Sequence, residues 1–261
     1  MKTVKKIAIA LAVFFVILTA FYLFWFSPRY TVPILMYHRF GYNESTLFVS
    51  PENFNQQMRY LKDKGYNVIS LDELAEGIKS GRKFAHNSVV ITVDDGYQDN
   101  YTYAYPVLKK YGFPAAIFLI TNFIGTNKDF MSWDEIREMF EHNIFFGGHT
   151  RNHTYLPSVK EESILQDEIR GCKEFIENEL GSNVNLFCYP TGGFTEHVKE
   201  IVKKSGYKEA CTTNRGFAEF NRDVYELKRV KVTNSDTNKP FSFRVKLSGY
   251  YNLLRSRKRG Y

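Results

Sequence analysis

Two carboxylates in succession, Asp94 and Asp95, close the run Val89-Val90-Ile91-Thr92-Val93 and are followed at once by Gly96. The run is β-branched and almost wholly apolar, the composition of a strand buried on both faces. A carboxylate taken out of water there needs a cation, a proton or hydrogen bonds to compensate its desolvation. A second apolar run, Ile144-Phe145-Phe146, ends at Gly147-Gly148-His149, and His153 follows four positions on. On a helical turn that spacing sets both imidazoles on one face, where they can grip one divalent ion. Two imidazoles and one carboxylate make a three-ligand site with open positions for water and substrate, and one acid is left over as a base. A third run, Leu186-Phe187-Cys188, opens into Tyr189-Pro190-Thr191-Gly192-Gly193-Phe194, whose glycines let backbone N–H groups approach a ligand. Each cluster alone is also compatible with an ordinary solvated turn or strand-to-helix connection. Their joint occurrence points to metal-assisted chemistry.

Three strand ends can meet only if the strands share a sheet. Strand-like stretches occur at 32–37, 67–71, 89–94, 115–120, 144–148, 186–189, 209–213 and 225–232. Helical patterns lie between them. Ser50 and Pro51 form an N-cap and first helical residue ahead of Phe54, Met58 and Leu61 on one face. Ser132 with Glu135, and Ser158 with Glu161, read as capping boxes, the second opening a long helix that runs to Leu180. Strand–helix alternation implies a parallel sheet, and seven or eight strands imply closure into a barrel. In such a barrel the C-terminal strand ends share one rim, so the three clusters would surround one cavity.

With these residues in place the chain resembles the polysaccharide deacetylases of the NodB-homology group, carbohydrate esterase family 4. The family's Thr-Phe-Asp-Asp-Gly corresponds to Thr92-Val93-Asp94-Asp95-Gly96, and its His-Ser/Thr-x-x-His to His149-Thr150-Arg151-Asn152-His153. Its third motif, Arg-Pro to Gly, is loosely matched by Tyr189-Pro190-Thr191-Gly192. The opening Pro33-Ile34-Leu35-Met36-Tyr37-His38 resembles the branch that includes the poly-N-acetylglucosamine deacetylases. Two departures stand out. The third motif lacks its Arg, which in the family orients the catalytic Asp, and no histidine follows His197 to match the late Leu-x-x-His.

The resemblance implies a distorted (β/α) barrel, α/β in class, that removes N-acetyl groups from an N-acetylglucosamine polymer. It implies Asp95, His149 and His153 as ligands of a divalent metal, Asp94 as catalytic base, and His38 as the acid or transition-state stabiliser replacing the missing histidine. Zinc is the expected ion, and cobalt or nickel suits the same nitrogen and oxygen donors. Tyr189, Pro190, Tyr97 and Tyr155 are the expected substrate contacts, with Trp133 and Phe194 also near the motifs. Peptidoglycan and xylan are alternative substrates. A membrane-tethered glycan-binding module with a vestigial site is the non-enzymatic alternative, supported by the missing Arg and histidine.

The remaining features concern location. Residues 7–26 carry no charge and are long enough to cross a bilayer as a helix. Lys2, Lys5 and Lys6 precede them and Phe21, Tyr22, Phe24 and Trp25 crowd the far end, the pattern of an uncleaved anchor with a cytoplasmic N-terminus. A cleaved signal peptide would need a shorter core followed by small residues. The expected organisation is a cytoplasmic stretch 1–6, an anchor 7–26, an extracytoplasmic catalytic domain 27–245 and a basic tail 246–261, in a bacterial cell membrane. The three N-terminal lysines and Arg255, Arg257, Lys258 and Arg259 account for the formal net charge of +7. The folded body is therefore balanced and lacks the basic stripe of a nucleic-acid binder. Cys172, Cys188 and Cys211, odd in number and irregular in spacing, form no disulfide framework.

Overall fold

A computed structural model of the chain describes residues 2–27, 30–216 and 220–254. The barrel strands are β1 (Ile34–Tyr37), β2 (Asn67–Val68), β3 (Ser88–Val93), β4 (Ala115–Leu119), β5 (Ile144–Gly148), β6 (Leu186–Cys188), β7 (Glu209–Thr212), β8 (Leu227–Lys228) and β9 (Val230–Lys231). All pair in parallel, in the order β8-β7-β6-β5-β4-β3-β1-β9, with β2 on β3. The two ends of that series, β8 and β9, are separated in the chain by Arg229 alone. The last expected strand, 225–232, is thus split: its first half pairs with β7 and its second with β1, closing the barrel at a single residue.

The strands are buried on both faces, which is why they read as apolar runs rather than alternating ones. Alternation nonetheless sorts the residues. Ile34, Val90, Ala116, Phe118, Leu186, Cys188, Cys211 and Leu227 fill the barrel interior. Leu35, Val89, Ile91, Val93, Ile117 and Phe187 pack outward beneath the helices. The period of two that sends Val90 inward also sends Thr92 and then Asp94, just as Leu227 is followed by Arg229.

The first two helix starts fall where the sequence puts them. The helix Pro51–Asp63 is capped by Ser50, whose side chain accepts from the Asn53 N–H, and buries Phe54, Met58 and Leu61. The capping box of Ser132 and Glu135 opens the helix Trp133–Phe140. The Ser158 box does not form. Ser158 ends a short 3-10 turn, Leu156–Ser158, and the helix begins at Glu162. It then runs as Glu162–Gln166, a π turn Asp167–Gly171, and Cys172–Leu180. A second π turn, Asn100–Ala104, leads into the helix Tyr105–Tyr111.

The stretch Thr3–Trp25 is helical, apolar and unburied, long enough by length and composition to cross a membrane. Past residue 245 the chain still packs on the barrel: Thr31 N–H donates to Gly249 O at 3.0 Å, and Tyr250 meets the Tyr30 ring edge-on. The basic tail residues Arg255, Arg257, Lys258 and Arg259 lie outside the described residues. All three cysteines are free and buried.

Candidate active site

Parallel register places the polar residues side by side at one rim. Tyr37 pairs with Val93, so His38 and Asp94 are the next residues up on adjacent strands, and Asp94 N–H donates to Tyr37 O at 3.0 Å. Leu119 pairs with Gly148 and Gly148 with Phe187, which brings His149 between β4 and Cys188. The His149 N–H donates to Leu119 O at 2.9 Å.

Asp95 departs from the strand. Its φ is 79°, and Gly96 beside it has the same value. A Cβ on Gly96 would approach Ile124 Cδ1 to 2.8 Å and Leu119 Cδ2 to 2.9 Å, so only glycine fits this turn. The left-handed step separates the two carboxylates. Asp94 continues inward, whereas Asp95 turns toward the histidines.

Around Asp95, Oδ1 stands 3.5 Å from His149 Nε2 and 3.7 Å from His153 Nε2. That oxygen is buried and accepts no hydrogen bond. His149 Nδ1 lies 2.7 Å from Cys188 O. A carbonyl only accepts, so Nδ1 carries the hydrogen and the Nε2 lone pair faces Asp95. Donors about 2.1 Å from a tetrahedrally coordinated ion stand roughly 3.4 Å apart, close to the separations seen. Three convergent lone pairs around an orphaned buried oxygen fit a divalent cation. A second possible group, Asp94, His149 and Cys188, is a poorer holder because its carboxylate is already neutralised.

That neutralisation comes from Arg229. Its Nη1 donates to Asp94 Oδ1 at 2.6 Å and its Nη2 to Asp94 Oδ2 at 2.7 Å, a bidentate fork. Nε donates to Thr212 O at 3.1 Å and Nη1 also to Thr92 Oγ1 at 3.1 Å. Arg229 is 1% exposed and Asp94 3%. Burial alone would raise the Asp94 pKa, but the charge and hydrogen bonds of Arg229 more than reverse this and hold the carboxyl well below its usual range. Burial, then the charge of Asp94, push Asp95 the other way, to about 7. Burial lowers His149 to about 3 and also lowers His153, leaving both imidazoles neutral and free to ligate.

His38 joins the same cluster. Its Nε2 is 3.6 Å from Asp94 Oδ2, and its backbone carbonyl accepts from Asn100 Nδ2 at 2.9 Å. Burial lowers its pKa, with the Asp94 charge acting against that.

The His149–His153 segment is not helical. It is an irregular loop with Thr150 at φ 65° and His153 at φ 58°. The four-residue spacing still brings both rings together, 4.9 Å apart between centroids, through left-handed turns instead of a helical face. Among the expected substrate contacts, Tyr189 and Pro190 are buried. The Tyr189 ring stacks on Phe194 at 4.7 Å and meets Phe187 edge-on, and its N–H donates to Cys211 O. Neither the ring nor that N–H is placed to meet a ligand. Tyr97 stacks on Phe130 and lies 4.1 Å beneath the Arg39 guanidinium, which pairs with Asp99 at 2.8 Å. Tyr155 is 36% exposed and packs against Gly193, where a Cβ would reach its ring at 2.2 Å. Trp133 packs against Phe175, and Phe194 is buried.

A family model described as polysaccharide deacetylase matches residues 81–210. YxkH of Bacillus subtilis (strain 168), itself named as a polysaccharide deacetylase, is 35% identical over 202 residues, 77% of this chain and 71% of that protein. The chain belongs to the polysaccharide deacetylase family. It is also similar to the poly-beta-1,6-N-acetyl-D-glucosamine N-deacetylase of Staphylococcus epidermidis, 29% identical over 198 residues, 71% of this chain and 68% of the relative. Among solved structures, the deacetylase PplD of Streptococcus pyogenes in complex with acetate superposes with a TM-score of 0.76 at 28% identity, covering 83% of this chain and 98% of that one. The matched polysaccharide deacetylase segment holds Asp94, Asp95, His149, His153 and Tyr189 but neither His38 nor Arg229.

Arg229 is the site residue that sequence reasoning missed. The polysaccharide deacetylase motif expects an Arg beside Pro190, and the structure supplies a guanidinium from the far end of the domain. Its signal was present: Leu227 and Arg229 share a strand face, and a cation on an inward face needs an acid opposite.

Proposed function

We propose that this polysaccharide deacetylase is metal-dependent and removes N-acetyl groups from an N-acetylglucosamine polymer at the cell surface, releasing acetate. The observation carrying this reading is the unpartnered Asp95 Oδ1 facing the Nε2 atoms of His149 and His153. The choice of polymer rests on the Staphylococcus epidermidis relative, and acetate as the product agrees with the acetate complex of PplD.

Asp95, His149 and His153 would hold the ion, with zinc, cobalt or nickel all suited to these donors. When bound, such an ion acidifies a water and polarises the substrate carbonyl. The chain's own residues do the rest. Asp94 is kept ionised and fixed in orientation by Arg229, so it meets the attacking water as a proton acceptor. Its carboxylate has lone pairs beyond the two that Arg229 uses. His38, on the Asp94 side of the cavity, donates a proton to the departing amine, with the Asp94 charge stabilising the imidazolium. Tyr97, with Arg39 over its ring, and the half-exposed Tyr155 would line the approach and meet the sugar rings. The apolar helix would anchor the chain, with Lys2, Lys5 and Lys6 on the cytoplasmic side and the barrel outside.

The test is acetate release by the purified chain from poly-N-acetylglucosamine, peptidoglycan glycan and acetylxylan, before and after chelation and with metal restored. Turnover of the first alone, lost on chelation, supports the reading. Turnover indifferent to chelation defeats the metal, and glycan binding without turnover in the presence of metal favours a binding module.

A further inference from the structure

The loop that carries His149 and His153 has an unusual shape. Thr150 and His153 both take left-handed backbone conformations, which non-glycine residues adopt only when their surroundings impose them. Neighbouring backbone holds the loop's carbonyls: Thr121 N–H donates to Thr150 O at 3.3 Å and Asn122 N–H to Arg151 O at 3.0 Å. Its donors converge on one side chain. The N–H groups of Arg151 and Asn152 donate to Glu168 Oε2 at 2.9 and 3.1 Å. Asn152 Nδ2 and Thr154 Oγ1 donate to Glu168 Oε1 at 2.8 and 2.7 Å.

Glu168 is 4% exposed and sits in the π turn Asp167–Gly171 that interrupts the helix from Glu162 to Leu180. An inserted residue of this kind turns a side chain off the regular helical face, and such bulges recur at functional sites. An ionised carboxylate accepts at both oxygens and donates at neither, which matches four donors arriving together. The same turn contacts the loop again where Arg151 pairs with Asp167 at 3.2 Å.

We propose that Glu168 is a positioning residue that holds the His149–His153 loop in its metal-binding shape before the ion arrives. The inference rests on the metal-site reading above and extends it to a residue that touches neither metal nor substrate. Removing the carboxylate leaves four donors without their acceptor and lets the left-handed residues relax, which moves His153 away from Asp95 and His149.

The experiment uses the full chain, stripped of metal, with Glu168→Ala and Glu168→Gln. Zinc affinity is measured by competition with a chromophoric chelator, the cobalt-loaded protein by its visible absorption spectrum, and the metal-free fold by circular dichroism and melting. The expected result is a loss of zinc affinity of roughly 10- to 100-fold in Glu168→Ala, the range for residues that orient metal ligands, with an altered cobalt spectrum. Glu168→Gln keeps one acceptor oxygen but aims an amide N–H at donors, and its loss should be smaller. A variant that melts earlier yet binds zinc with the parent's affinity and gives the parent's cobalt spectrum overturns the proposal. If Glu168→Ala does not fold, Glu168→Gln decides on the same readouts. A parent protein that binds neither ion overturns the metal-site reading itself.

Discussion

Arg229 clasps Asp94 across the barrel mouth with two parallel hydrogen bonds of 2.6 and 2.7 Å, both partners withdrawn from solvent. The guanidinium comes from the residue at which the last strand leaves β7 and joins β1, so one side chain both orients Asp94, the proposed proton acceptor, and spans the barrel's seam. Taking one member from a buried ion pair leaves the other uncompensated, at a cost of about 3–5 kcal/mol. Arg229→Met should lose stability on that scale in urea unfolding. Adding Asp94→Asn to it should restore part of the loss, because the stranded charge is gone. Equal stability of Arg229→Met and the parent would contradict a buried pair.

Asp94→Asn on its own should leave the metal ligands in place and lower acetate release by roughly 10²- to 10⁴-fold, the range for a positioned proton acceptor. His38→Gln should reduce the rate through the leaving amine. A substrate with an activated, weakly basic leaving group should therefore recover much of the rate in His38→Gln and little in Asp94→Asn. Steady-state rates on the two substrate types check this, and equal recovery in both variants would refute the division of labour.

Metal removal should be visible in stability as well as in turnover. An ion that binds only the folded chain stabilises it by about 2.7 kcal/mol at a free concentration a hundredfold above its Kd. For a domain of this size that is a rise of roughly 5–10 °C in melting temperature. Scanning calorimetry of the stripped protein, titrated with zinc, reads the shift. His153→Ala should abolish it while leaving the stripped protein's melting nearly unchanged, since His153 is half-exposed.

Glu209 gives a pH dependence separate from the reaction. It begins β7, its carboxylate is almost wholly buried, and Oε1 has no hydrogen-bond partner. Burial, then the charge of Asp72, raise its pKa to about 8, with Lys79 opposing. The folded value lies above the unfolded one, so the folded chain binds the extra proton. That contribution is fully present below about pH 4.3, the ordinary Glu value, and is lost as pH rises toward 8. Glu209→Gln, which mimics the protonated side chain, should therefore gain stability over the parent as pH rises through that window, reaching a few kcal/mol and levelling off above it. Urea unfolding at several pH values measures the difference, and a constant offset would refute it.

The strand ends were legible because a parallel barrel buries its strands on both faces and writes them as apolar runs ending in polar residues. Asp94, Asp95 and His149 stand out for that reason, and Ser50 and Ser132 announce their helices through capping chemistry. The shape of the His149–His153 loop was not legible. Its left-handed residues, Thr150 and His153, are not glycines, and the acceptor that gathers Arg151, Asn152 and Thr154 beside them is Glu168 of the following helix, which no local pattern ties to the loop. The Ser158 box failed because Ser158 closes the preceding 3-10 turn instead, its N–H and hydroxyl both donating to Tyr155 O. Tyr189 looked like a ligand contact from its neighbours in sequence, yet a strand-end aromatic between Phe187 and Phe194 packs into the core before it can serve a cavity. Arg229 was hidden by order along the chain, since nothing local ties it to Asp94.

The split of the last strand bears on how degenerate members of such families are told from working ones. A pattern drawn along the chain records an arginine missing beside Pro190 and reads decay. A pattern drawn in space records a guanidinium at the acid it serves, delivered by a different stretch of backbone. What selection can preserve here is a charge at a location, and any segment that passes the location is free to carry it.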